Sequence, residues 1–153
     1  MKLAEALIER ADLQKRAAQL EERINRNLLV QEGEEPSENP AALLRELDEV
    51  LARLDGLLPR IHRANLGARL PNGQTLTDAL TTRDLLDLRL KALRRFVATA
   101  SDRQTRYSKS EVRIVPVLPA RDLQAQADAL AKQRRELEVL IQAANWATEL
   151  EGA

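Results

Sequence analysis

Residues 65–84, NLGARLPNGQTLTDALTTRD, form the polar stretch that decides how the rest of the chain is organised. The Pro-Asn-Gly run at 71–73 favours a turn, because proline fixes φ and both asparagine and glycine tolerate positive φ. Thr75 followed by Asp78 resembles a capping box at the start of a helix. Long segments with helical periodicity lie on both sides, so this stretch predicts a turn between two helical halves.

The N-terminal half predicts two helices, because its apolar residues recur at alternating spacings of three and four. We expect the first helix at about residues 2–29 and the second at about residues 40–64, joined by an acidic loop over residues 31–39. Asn39 followed by Pro40 suits the cap and the first turn of the second helix. Leucines spaced seven apart widen its apolar stripe, so we expect this helix to be the most deeply buried. These leucines are Leu44, Leu51 and Leu58.

The C-terminal half predicts a third helix at about residues 76–105 and a fourth at about residues 120–150. Between them, residues 111–118, EVRIVPVL, are rich in β-branched side chains and predict one short β element. Because a lone strand cannot satisfy its own backbone groups, it would pair with residues 29–32, with residues 68–75 or with a second copy of itself.

The predicted fold class is all-α, with a single domain over residues 1–153. Four helices of similar length with short or medium connections favour a four-helix antiparallel bundle in up-down-up-down order, with one short β element around residues 111–118. The low aromatic content and the many Leu, Ala, Arg and Glu residues are also typical of long helices.

The composition excludes several kinds of chemistry and location. The chain has no cysteine, which rules out disulfides and thiolate catalysis and suits a reducing compartment. Its 24 basic residues balance 24 acidic residues, so the net charge favours binding to neither nucleic acid nor an acidic membrane. No apolar run reaches the roughly 20 residues of a membrane span, and the N-terminus lacks the apolar core of a signal peptide. We therefore expect a cytoplasmic protein that does not contact a membrane.

Motifs for enzymatic chemistry are missing from the sequence. His62 is the single histidine, so neither a transition-metal site nor a Ser–His pair has much support. The glycine-rich phosphate loops of nucleotide-binding proteins are absent as well. We therefore expect no catalytic residue, no metal and no cofactor.

An antiparallel bundle would bring polar residues from several segments to one end. There, Arg83 and the N–H groups in the first turn of the third helix could bind a small ligand or an anion. The alternative is that these residues cap helices and hold turns without binding anything. The candidate ligand-binding residues are Asn65, Asn72, Thr75, Arg83, Asp84 and Asn145.

Three arginines interrupt the apolar seams of the predicted helices. A buried guanidinium without a partner is costly, so we expect each arginine to pair with a carboxylate in a buried polar layer. The residues of this layer are Arg10, Arg83, Arg134 and Glu138.

Two further regions are candidates for binding. The basic residues within 89–113 could bind the phosphates of a nucleic acid, but the neutral chain favours an ordinary solvated helix face. The β-branched segment and the single tryptophan suit a contact between subunits, where tryptophan is enriched. The candidate subunit-contact residues are Val112, Ile114, Val117 and Trp146.

Five segments together resemble a small bacterial helical family of unknown function, some of whose members carry the name septicolysin. They are LIERADLQKR at 7–16, LVQEGE at 29–34, NGQTLTDAL at 72–80, RYSKSE at 106–111 and IQAANWATEL at 141–150. The resemblance spans nearly the whole chain and implies that the polar loops, as well as the helical seams, characterise the family. It implies no established activity, cofactor or catalytic residue, and only the name suggests a cytolysin.

The sequence therefore predicts a cytoplasmic, self-associating helical protein, a homo-oligomer that acts by packing and polar recognition without covalent chemistry. Three alternatives come from other classes of protein. They are a small-ligand protein or enzyme that uses the polar end around residues 65–84, a nucleic-acid-binding module that uses residues 89–113, and a cytolysin.

Overall fold

The structure is a computed structural model that describes residues 1–102 and 112–151. Four helices dominate it, which confirms the predicted all-α, four-helix bundle class. They are α1 (Leu3–Asn27), α2 (Pro40–Gly67), α3 (Leu76–Ser101) and α4 (Ala120–Ala147). The chain divides into two compact units: unit 1 comprises residues 1–68 and 144–153, and unit 2 comprises residues 69–143. That the whole chain forms a single domain stays a prediction.

Polar side chains next to the helix starts explain where the helices begin. At α2, the side-chain oxygen of Asn39 accepts hydrogen bonds from the N–H groups of Ala41 and Ala42, at 2.9 and 3.3 Å. At α3, the hydroxyl of Thr75 accepts a hydrogen bond from the N–H of Asp78 at 3.1 Å. Both contacts satisfy N–H groups that the first turn of a helix leaves without partners.

In unit 1, α1 and α2 are antiparallel, and ion pairs along their length show the register. Arg16 donates to Glu46 from Nε at 2.9 Å, and Arg23 donates to Glu38 from Nε at 3.1 Å. Residue numbers therefore rise along α1 as they fall along α2. The buried apolar side chains of the two helices are Leu3, Ala4, Ala6, Leu13, Leu20, Leu43, Val50, Leu54, Leu57 and Ile61.

The start of α1 and the end of α4 are joined within unit 1. The N–H of Leu3 donates to the carbonyl of Thr148, and the N–H of Leu150 donates to the carbonyl of Met1, both at 2.9 Å. These bonds flank an isolated antiparallel bridge between Lys2 and Glu149. Leu3 and Leu150 are buried on either side of it, so backbone pairing and apolar packing hold the two segments together.

In unit 2, α3 and α4 are also antiparallel. Leu90 and Leu93 of α3 form a buried cluster with Leu123 and Ala127 of α4. The turn predicted at 71–73 precedes α3, and it is closed by a hydrogen bond of 2.9 Å from the N–H of Gly73 to the carbonyl of Leu70. Gly73 has φ +86°, a backbone conformation that side chains with a Cβ rarely adopt, which explains the glycine.

The β element predicted around residues 111–118 is not seen within the chain, because residues 112–118, the part that the structure describes, form neither a strand nor a bridge; its pairing with a second copy stays a prediction. Residues 68–75, one proposed partner, already bond among themselves through an Arg69–Thr75 bridge and an N–H of Leu70 that donates to Gln74. β-branched residues form a strand only where a free strand edge is available to pair with. Pro116 also has no backbone N–H to donate to such a pairing.

The expectation that Leu44, Leu51 and Leu58 would bury α2 most deeply is also wrong. Leu44 and Leu51 are 50% and 48% exposed, and Leu58 is only partly buried. The buried residues of α2 include Leu43, Val50 and Leu57. Each lies one position earlier in the chain, which is about 100° around the helix. An apolar stripe on the outward side of α2 is therefore left exposed.

Candidate functional site

Two of the predicted ligand-binding residues hold the turn before α3. The side-chain oxygen of Asn72 accepts from the N–H of Gln74 at 3.1 Å, and the Asn72 amide donates to the Gln74 side chain at 3.0 Å. Thr75 caps α3 through its bond with Asp78. These polar atoms are therefore engaged in local structure within unit 2.

The predicted ligand-binding residues are divided between the two units. Asn65 lies partly exposed on α2, and Asn145 is a buried polar residue on α4, both in unit 1. The remaining residues belong to unit 2 and are Asn72, Thr75, Arg83 and Asp84. A ligand site built from all six residues stays a prediction.

An ionic network in unit 2 links α3 to α4 through two of the seam arginines. Arg134 donates from Nε to Asp87 at 3.0 Å and from Nη1 to Glu138 at 3.0 Å. Arg83 lies 3.1 Å from the carboxylate of Asp84 and 3.8 Å from that of Glu138. Glu138 therefore lies between two guanidinium groups, and the side chains of all three are about 30% exposed.

The hydrogen bond from Arg134 lowers the pKa of Asp87 below its usual value, while partial desolvation acts in the opposite direction. The same bond raises the pKa of Arg134. Both groups therefore remain charged throughout the physiological range. The network acts as an electrostatic connection between α3 and α4.

Arg10 in unit 1 differs from the other seam arginines. Its Nε atom is buried and has no hydrogen-bond partner within the described part of the chain. No carboxylate of the described residues forms an ion pair with it, in contrast to Arg16 and Arg53 on neighbouring turns of the α1–α2 pair. The predicted pairing of Arg10 with a carboxylate is therefore not seen among the described residues, and a polar layer of all four residues stays a prediction.

A charged cavity of about 350 Å³ in unit 1 lies where the end of α2 meets the residues that follow α4. Arg60 donates to the backbone carbonyl of Glu151 at 3.0 Å, and Lys2 lies 2.6 Å from the carboxylate of Glu149. The hydrogen bond from Lys2 lowers the pKa of Glu149. Two basic residues, Arg60 and Arg63, and two acidic residues, Glu149 and Glu151, line the cavity, so it has little net charge to attract an ion.

An apolar cavity of about 470 Å³ lies in unit 2, between the end of α3 and the segment that leads into α4. Its lining is apolar except for Thr99 and Asp102. Five of its large apolar side chains are exposed, and we call them the apolar patch. They are Phe96, Ile114, Val115, Val117 and Leu118. Val117 is 96% exposed, so nothing in the described chain covers the outer edge of the patch.

The predicted subunit-contact residues are all exposed. Val112, Ile114 and Val117 lie in or beside the apolar patch in unit 2, whereas Trp146 is 53% exposed in unit 1. Sequence reasoning missed Phe96 and Leu118. The available signal was that Phe96, the single phenylalanine of the chain, lies off the apolar seam of its helix.

The basic residues predicted as a nucleic-acid surface are only partly within the described chain. Arg89, Lys91, Arg94 and Arg95 lie exposed on α3, and Arg113 lies exposed after it. The other basic residues of this run, at 103, 106 and 109, lie outside the described residues. The nucleic-acid alternative stays a prediction.

Two further features are absent from the described residues. They contain no group of three or more His, Asp or Glu side chains placed to hold a metal ion. None of the described helices is both long and apolar enough to cross a membrane.

These features define an all-α, four-helix protein with an apolar cavity in unit 2. Residues 10–150 match the Family of unknown function (DUF6847), and the chain belongs to this family. It is similar to a functionally unknown conserved protein from Corynebacterium diphtheriae, known from a crystal structure, with a TM-score of 0.91 and 40% sequence identity over 99% of each chain. Comparison with the curated proteins gives no match. Neither description carries the name septicolysin.

Proposed function

We propose that this protein is a self-associating helical protein of the cytoplasm, without covalent chemistry, and that its subunit contact includes the apolar patch. The observation that carries the proposal is the exposure of five neighbouring apolar side chains around one cavity. Monomeric proteins rarely leave a large contiguous apolar surface in water, and such surfaces commonly mark interaction sites. The cysteine-free composition suits the reducing cytoplasm.

The backbone of the same segment supports a second copy as the occupant. Residues 113–118 form no backbone hydrogen bond within the described part of the chain. Free N–H and C=O groups beside β-branched side chains are the features by which one chain adds an extended segment to another. Pairing between copies would satisfy these groups and cover the apolar side chains in one step.

A contact around a twofold axis suits the composition of the patch. In such a contact each copy presents the same surface, so apolar side chains meet apolar side chains.

The polar residues considered as a ligand site support a role without catalysis. Asn72 and Thr75 hold a turn and a helix cap, and Arg83 lies beside two carboxylates. These groups are engaged by neighbours in a turn, a helix cap and an ion pair, which suits structural work.

The test is the mass of the protein in solution, measured by light scattering across a wide range of concentrations. We expect an oligomer that dissociates on dilution. Val117→Asp should shift dissociation to at least about tenfold higher concentration, since burying a valine side chain contributes about 1.5–3 kcal/mol. Val117 is 96% exposed, so this change should leave the folded subunit intact.

Val139→Asp is the matched control, because Val139 is 68% exposed in the same unit but lies outside the apolar patch. It should leave the mass profile unchanged. A protein that stays monomeric at every concentration would refute self-association. An oligomer that Val117→Asp and Val139→Asp affect equally would show that the apolar patch is not the contact.

A further inference from the structure

The outward face of α2 in unit 1 carries a regular pattern that self-association through unit 2 does not use. Residues at alternating spacings of mostly four and three lie along one side of the helix, and we call them the α2 stripe. They are Leu44, Asp48, Leu51, Asp55, Leu58, His62 and Leu66. Apolar and polar side chains alternate along this stripe, and its leucines are exposed or only partly buried.

Two pairs of charged residues on α2 differ in their partners. Glu46 and Arg53, on the side nearer α1, form ion pairs with Arg16 and Glu9 of that helix. Asp48 and Asp55, on the α2 stripe, are exposed and form no ion pair within the described part of the chain. The inner charges of α2 therefore have partners, whereas the carboxylates of the stripe remain available.

A second copy of the stripe centred on Leu51 would bring like charges together. In a twofold antiparallel contact centred on Leu51, Asp48 of one copy would lie beside Asp55 of the other, because they are three and four residues from the centre. Like charges brought together in this way oppose association. The occupant therefore needs basic residues opposite the two aspartates and apolar residues opposite the leucines.

We propose that the α2 stripe binds a basic amphipathic helix of a partner protein. The stripe runs from residue 44 to residue 66, which at about 1.5 Å per residue is roughly 33 Å long. That length matches about three heptads of a helix packed side by side with α2. Leucines of the partner would pack between Leu44, Leu51 and Leu58, and its Arg or Lys side chains would pair with Asp48 and Asp55.

The proposal is independent of self-association, because it uses a face of unit 1 and the apolar patch belongs to unit 2. Binding of a helix to α2 should persist in Val117→Asp. Failure of one proposal therefore leaves the other open to its own test.

The test uses the full chain and two synthetic helical peptides of three heptads, measured by titration calorimetry. Both peptides carry leucine at the a and d positions, and their e and g positions carry lysine in one and glutamate in the other. The lysine peptide should bind the native chain, and the glutamate peptide should not. The double variant Asp48→Lys/Asp55→Lys should weaken binding of the lysine peptide at least tenfold and create binding of the glutamate peptide.

Glu49→Lys is the matched control, because Glu49 is exposed on the same helix but points away from the stripe. It should leave the affinity for the lysine peptide within about twofold, and Leu51→Asp should reduce that affinity at least tenfold. The proposal is overturned if the lysine peptide does not bind the native chain. It is equally overturned if Glu49→Lys weakens binding as much as the double variant, because general charge attraction then accounts for the contact.

Discussion

Replacing Arg10 with methionine should stabilise the protein, although it removes a charged side chain from a helix. The Nε of Arg10 is buried without an acceptor within the described chain, and no ion pair with those residues offsets this. An unsatisfied buried donor costs about 1–3 kcal/mol. Methionine keeps the length and apolar packing of the arginine stem and carries no donor.

The magnitude follows from the burial of the side chain. Arg10 as a residue is only partly buried, so part of its guanidinium remains hydrated, and the lower end of the range applies. We expect a gain of about 1 kcal/mol, which for a chain of this size raises Tm by roughly 2–4 °C. Urea unfolding should show a higher midpoint with an unchanged slope, since the surface exposed on unfolding stays nearly the same.

Arg16→Met provides the control on the same helix. It removes the ion pair with Glu46, whose two side chains are about 40% exposed, so we expect a loss of at most about 1 kcal/mol. Both variants should be compared at one protein concentration, because association shifts apparent stability. The reasoning is refuted if Arg10→Met lowers the free energy of unfolding by 1 kcal/mol or more, since Nε would then have a favourable partner.

Three further predictions concern stability. Arg23 lowers the pKa of Glu38 through a hydrogen bond, so the stability that this pair contributes is present above the ordinary carboxyl pKa and is lost as pH falls through the lowered pKa. The difference in urea midpoint between the native chain and Glu38→Gln should therefore shrink on acidification. A difference that stays constant with pH would contradict this prediction. Thr75→Ala removes the cap of α3 and should cost about 1 kcal/mol in chemical unfolding, whereas Thr75→Ser should cost less. Gly73→Ala should lower Tm, because φ is +86° and alanine is strained there; an unchanged Tm would show that the turn adapts.

The helices could be predicted from the sequence because their signals are local. Apolar spacing and the caps at Asn39 and Thr75 depend on residues within one or two turns, and α2 and α3 begin where those caps place them. The face on which α2 packs could not be predicted in the same way. Leu43 and Leu44 are both leucine, as are Leu57 and Leu58, so the periodicity fits either face until a partner helix selects one.

Tertiary partners also explain what sequence reasoning missed at the candidate sites. The segment before α4 has the composition of a strand, but a strand requires an edge to pair with, and composition does not specify one. The expectation that seam arginines need carboxylates rests on general energetics, which cannot name the partner. Glu138 lies between two of these arginines, whereas Arg10 has no carboxylate in the described chain.

The paired segments around Met1 and Leu150 in unit 1 would allow the helices to be connected in a different order along the chain. Because the backbone of Met1 bonds to that of Leu150, a short peptide could link these neighbouring segments without crossing the core. New termini could then be opened in the exposed loop around Gly33, where the chain lies between α1 and α2. Such a circular permutant would begin with α2 and end with α1, and it should keep the same four helices.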